Sequence, residues 1–227
     1  MSKINFQYNV QLDAWSWARF AKHKSLWRAN SEIMTKHIPP DILKLLQESD
    51  GDVAKNIALE AVKRQNHEGM AEVIEKYIKD IKSKWTPFGK KFFEALEQVI
   101  QRKGLEDDFT AFLTTGRTCP YNLKEKWFMV SVLHSLEKSI TTICHEIFHF
   151  HFLYYFGDYL RQKGLPNERI EDIKEAVTVL LNEKEFKDII TVEDKGYPAH
   201  QEMRKEITAL WREERDFLLI LGRLTKK

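Results

Sequence analysis

From Glu68 to Lys84, Met70, Val73, Ile74, Tyr77, Ile78 and Ile81 recur at helical spacing, and Phe92, Phe93, Leu96, Val99 and Ile100 repeat it in the next segment. A chain written in this period commits its core to packed helices. It holds only 9 glycines and 6 prolines in 227 residues, too little turn punctuation for an all-β sandwich. Aromatic residues at 12% give it too much to bury for a disordered chain.

The other elements fit around those helices. Ile4, Phe6, Tyr8, Val10 and Leu12 alternate, which predicts a half-buried strand over the first dozen residues. Asp50, Gly51 and Asp52 predict a turn and an N-cap for a helix to about Arg64. Thr86 followed by Pro87 predicts an N-cap with proline in the first helical position, opening a helix that stops near Gly104. Residues 105–126 read as loops with a short strand. Trp127 to Leu133 is a compact β-favouring run, after which Ser135 caps a helix to about Phe156. Gly157 and then Gly164 and Pro166 break the chain. Asn167 is the expected cap of a helix to about Asn182, 183–198 read as irregular, and a last helix is expected over 199–222. The expected fold is α+β, mainly helical with a small sheet, in one domain over 1–227. Within it, 1–125 form a helical part and 126–227 a second part.

Lys and Arg number 36 against 34 Asp and Glu, so charge gives no reason to expect a nucleic-acid partner. No run of about 18 apolar residues is present, so no membrane partner is expected. Two cysteines, Cys119 and Cys144, and an N-terminus without an apolar leader make a cytoplasmic location the expectation.

Within the helix after the apolar run lie His145, Glu146, Ile147, Phe148 and His149. Residues i and i+4 share a helix face, so both imidazoles can reach one zinc ion at about 2.0–2.1 Å. Glu146 is turned about 100° from His145 and about 60° from His149. It stands beside such a metal without ligating it, where a general base would act on metal-bound water. Ile140, Ile143, Ile147, Phe148, Phe150 and Phe152 surround the motif, and polar groups in such a setting need compensation that a metal supplies. A catalytic zinc takes three protein ligands and a water. Glu171, Asp172 and Glu175 are the downstream acids. Ile170, Ile173, Val177, Leu180 and Leu181 form an apolar stripe beside them. Glu175, followed by almost uninterrupted apolar sequence, is the one expected inside, and the other two are expected to be solvated.

These residues resemble the gluzincin branch of the zinc metallopeptidases, thermolysin-like in active-site layout, over roughly 127–182. The resemblance implies a zincin-like fold with an edge strand beside the motif helix, one zinc ion on His145, His149 and Glu175, and Glu146 activating the water. A peptide or protein would be the substrate. The acid that family members often carry four positions after the ligand glutamate is Val179 here, so support for a ligand histidine is expected from Asn182 or Thr178. The metzincin extension is absent, with Phe152 and Tyr155 in the places of its glycine and third histidine. Tyr197 and His200, where the last helix opens, are the expected oxyanion donors. The competing expectation is a non-catalytic helical module, zinc-binding or protein-binding. A fourth protein ligand such as Cys144 or His151 would favour it.

Overall fold

The computed structural model describes residues 3–22 and 35–225. Four strands, β1 (Ile4–Tyr8), β2 (Phe109–Thr114), β3 (Tyr121–Asn122) and β4 (Trp127–Ser131), form one mixed sheet in the order β1-β2-β4-β3. The remainder is mainly helical, so the fold class is α+β. The chain divides into two interleaved compact units. The first gathers 87–107 and 140–225, the second 4–22, 35–86 and 108–139. The seam read from the sequence at 125/126 falls within the second unit, between β3 and β4.

The second unit holds the sheet. β1 pairs parallel with β2 and β2 parallel with β4, while β3 folds back antiparallel on β4. β4 is buried at all five positions, which explains its unbroken apolar run. β1, at the sheet edge, alternates in exposure. It stops at Tyr8 rather than running to Leu12, because Asn9 caps a helix there. The Asn9 side chain accepts from the N–H groups of Gln11 and Leu12, opening α1 (Val10–Ala21). Helices α2 (Pro40–Glu48) and α3 (Gly51–Gln65) follow. Asp50 stands at the N-cap of α3, as its Asp-Gly-Asp turn predicts. Ala54, Ala58 and Ala61 of α3 are buried in one cluster with Ala14, Trp17 and Ala21 of α1, the alanines being small enough to let the two helices pack closely. After a kink at Gly69, whose φ is 108°, comes α4 (Ala71–Trp85).

Thr86 closes α4 instead of capping the next helix. Its N–H and its hydroxyl both donate to the Lys82 carbonyl, at 3.0 and 2.7 Å. In the first unit, α5 (Gly89–Ile100) opens three residues later and ends at Gln101, whose φ is 54°. Helix α6 (Leu136–Phe152) starts where Ser135 predicts, with its hydroxyl accepting from the Lys138 N–H at 3.2 Å. It does not break at Gly157. A π-helical turn, Leu153–Gly157, carries the chain straight into α7 (Asp158–Gln162). Helix α8 (Asn167–Val177) takes Pro166, not Asn167, as its N-cap and tightens into a 3₁₀ turn over Thr178–Asn182. The expected last helix is two, α9 (Gln201–Glu214) and α10 (Phe217–Leu224), separated by Arg215 in the left-handed region at φ 53°. Phe92 against Phe186, and Phe217 against both Phe148 and Phe156, make the aromatic centre of this unit.

Candidate metal centre

Helix α6 carries His145, Glu146 and His149, and α8 carries Glu175; all lie in the first unit. The stacking of His145 over His149 by one helical turn puts their ring centroids 4.2 Å apart. The apolar stripe of α8 buries Ile170, Ile173 and Val177, and Glu175 is drawn in with them, 6% exposed. Glu171 and Asp172 stay at intermediate exposure. Glu175 Oε2 lies 3.4 Å from His145 Nε2 and 3.7 Å from His149 Nε2. Two ligand atoms each about 2.1 Å from a tetrahedral metal are about 3.4 Å apart, so these separations suit a shared ion. One ligand atom from each residue falls within 4.8 Å of the others, and the group could hold a metal ion.

Glu175 Oε2 and Glu146 Oε2 are both buried with no hydrogen-bond partner among the described residues. Glu175 Oε2 has only the long approaches of the two histidines, and a metal ion set between them and Glu175 would satisfy it more fully. Glu146 Oε2 lies 3.6 Å from His149 Nδ1. His145, His149 and Glu175 therefore fit a metal, and Glu146 stands beside the far ring nitrogen of His149.

Electrostatics around the site come from unlike charges packed together. Burial works against an imidazolium at His145, but Asp194 and Glu175 outweigh it and raise its pKa to about 10. At His149 burial dominates and lowers the pKa, despite Glu175. For Glu175 burial opposes ionisation and is overcome by the two histidines and Lys174, which hold it well below the ordinary carboxylate range.

Support for the ligand histidine differs from expectation. His145 donates through Nδ1 to Asp194 Oδ2 at 2.6 Å, fixing Nε2 as the metal-facing nitrogen. Asp194 belongs to the segment that reads as irregular, and Asn182 and Thr178 stand one step further out. Asn182 pins the Asp194 main chain at both N–H and carbonyl, at 2.8 and 2.9 Å. The Thr178 hydroxyl donates to the Glu175 carbonyl at 2.8 Å and accepts from Arg204 at 3.0 Å. Arg204, buried, also donates to the Asp194 carbonyl and to Asp194 Oδ1. Gly196 makes room for it: a Cβ there would lie 2.7 Å from Arg204 Cζ, and its φ of 60° favours glycine. Sequence reasoning missed Asp194, since an acid in a loop carries no spacing signal.

Tyr197 and His200 pack edge to face, 5.9 Å between centroids. His200 is buried and donates through Nε2 to Asp172 Oδ1 at 3.1 Å, so Asp172 is not simply a solvated charge. His151 is spoken for by the backbone. Its Nδ1 donates to the Ile147 carbonyl at 2.8 Å, and its Nε2 accepts from the Leu105 N–H at 3.1 Å. Cys144 is a fully buried thiol whose pKa burial pushes well up, a poor source of thiolate. No helix of the described residues is long and apolar enough to cross a membrane. No protein family matches the chain, and no curated protein or solved structure matches it.

Proposed function

We propose that the chain is a zinc-dependent metallopeptidase with a zincin-like, gluzincin-type centre. The observation that carries the reading is the convergence of His145, His149 and Glu175 with the buried, unbonded Oε2 of Glu146 beside them. Two histidines and a glutamate are a donor set suited to a catalytic zinc that keeps its fourth position for water. His151 has both ring nitrogens engaged by backbone, which speaks against a closed four-ligand site. The His145 side chain is 17% exposed while those of His149 and Glu175 are 2% and 7%, so access for water and substrate lies on the His145 side.

When bound, zinc would polarise a scissile carbonyl and acidify the attacking water. Glu146 would take the proton from the attacking water and pass it to the leaving amine; the near neighbour of its Oε2 is His149 Nδ1, at 3.6 Å. Asp194 holds His145 in the tautomer that frees Nε2. Tyr197, half-buried, is the assigned oxyanion donor, with the buried His200 beside it as its support.

Glu146→Gln tests the reading. Zinc content should be unchanged, because Glu146 is not among the three ligands, while hydrolysis of a peptide library should fall by about 10²–10⁴-fold. The burial of the ligands favours one second reading, a structural zinc site. In that case the wild type binds zinc and cleaves nothing across the library.

A further inference from the structure

Lys174 was given no role by its place in the sequence, yet it is 1% exposed and sits directly beside the centre. Its ammonium lies 2.6 Å from Glu171 Oε2 and 3.3 Å from Glu175 Oε1. Burying a lysine is costly unless carboxylates compensate it, and here two do. They are not equivalent. Glu171 is partly exposed and neutralises the ammonium. Glu175 turns its two oxygens to different partners, Oε1 to Lys174 and Oε2 to the histidines.

We infer that Lys174 is a positioning residue that occupies Glu175 Oε1, so that Glu175 offers a divalent metal one oxygen instead of two. The inference rests on the metal reading above and refines it. With Oε1 held, Glu175 is a one-oxygen ligand, and the three protein ligands leave a position open for water. Without Lys174 the carboxylate is free to turn and chelate with both oxygens, filling space that water needs. Two electrostatic effects oppose each other. Removing Lys174 alone leaves Glu171 uncompensated and by itself favours a divalent metal, whereas removing the Glu171 charge with it cancels that effect. The charge-neutral pair removal therefore isolates the loss of orientation, and outer partners of metal ligands are typically worth about tenfold to 100-fold in affinity.

The test loads the full chain with Zn²⁺ and, separately, with Co²⁺, whose visible absorption weakens as coordination number rises. It measures metal affinity, the Co²⁺ spectrum and thermal unfolding for wild type, Lys174→Met, Lys174→Arg and the double variant Lys174→Met with Glu171→Gln. The double variant removes the pair with no change in net charge. Expected are a weakened Co²⁺ band in Lys174→Met and in the double variant, a tenfold to 100-fold weaker affinity in the double variant, and restoration of the band in Lys174→Arg. If the double variant instead regains wild-type affinity and spectrum, Lys174 merely balances charge and the inference is overturned. It is equally overturned if Lys174→Met lowers the unfolding temperature but leaves the spectrum of the folded, loaded protein unchanged, or if Lys174→Met and the double variant fail to fold while Lys174→Arg folds with an altered spectrum. In each of these cases the metal reading stands. A wild type that binds neither ion overturns both.

Discussion

His145 shows how one residue makes the centre sensitive to pH. In the metal-free protein its imidazolium donates to Asp194 through Nδ1 and presents its second proton toward Glu175, which is why its pKa rises to about 10. A metal must expel that Nε2 proton to bind. His149, with its pKa lowered, and Glu175, well below the carboxylate range, have none to give near neutrality. Between about pH 7 and 9 one proton should leave per metal bound, so apparent affinity should rise about tenfold per pH unit. Calorimetry in buffers of different ionisation enthalpy counts the protons, and a count of zero refutes this account. Gly196 acts on the same residue from further away. A methyl group at Gly196 would meet the Arg204 guanidinium at 2.7 Å and displace it from Asp194. Gly196→Ala should then weaken metal binding by about tenfold without touching a ligand. Titration with a chromophoric chelator measures it, and unchanged affinity would show that Arg204 does not hold Asp194 in place.

Elements in the second unit are locked by a buried acid that periodicity does not mark. Asp13 of α1 accepts from the Thr114 hydroxyl at 2.6 Å, the Thr115 N–H at 3.0 Å, the Thr115 hydroxyl at 2.8 Å and the Tyr8 hydroxyl at 3.1 Å. Burial raises its pKa against the pull of these donors. Asp13→Ala should cost about 2–4 kcal/mol, since four donors lose their acceptor while the relief of a buried charge offsets part of the loss. Urea unfolding checks it, and a neutral result would mean that water replaces the carboxylate. The sequence reads well where a rule is local. The Ser135 cap, the Asp50 turn, the apolar β4 and the inward Glu175 all follow from residues within a turn of one another. It reads poorly where tertiary contacts override local preference. Alternation to Leu12 suggests strand, yet Asn9 caps a helix at Val10. Glycine at 157 suggests a break, yet its cost in a helix is only about 1 kcal/mol, and the chain continues through a π turn. Arg215 ends α9 in a left-handed conformation that no arginine advertises, held where it pairs with Glu185 at 2.6 Å and covers Trp211. The metal-facing residues were legible because i, i+4 spacing is a helix rule. Asp194 and Lys174 were not, since their places depend on a loop and on a buried charge pair.

The whole molecule divides its chemistry as it divides its chain. All residues of the centre belong to the first unit, and the Asp13 lock belongs to the second. A metal stabilises only states that keep its ligands together, by about 4 kcal/mol when free metal is 1,000 times its dissociation constant. Any opening that separates α6 from α8 would release a bound ion, whereas opening Asp13 from Thr114 and Thr115 would break no ligand bond. Hydrogen exchange with and without zinc should therefore separate the units. Amides of 140–152, 167–182 and 190–204 should lose protection on chelation, while those of α1, α3, β2 and β4 should hold theirs. The contrast has a physical basis in the two cores. Trp17 and the alanine face of α3 are buried in one, Phe148 and Phe217 in the other. Equal loss of protection across both sets would show that the units open as a single cooperative body. In that case the metal ion stabilises the entire chain, and the lock at Asp13 and the centre at His145 belong to one folding transition.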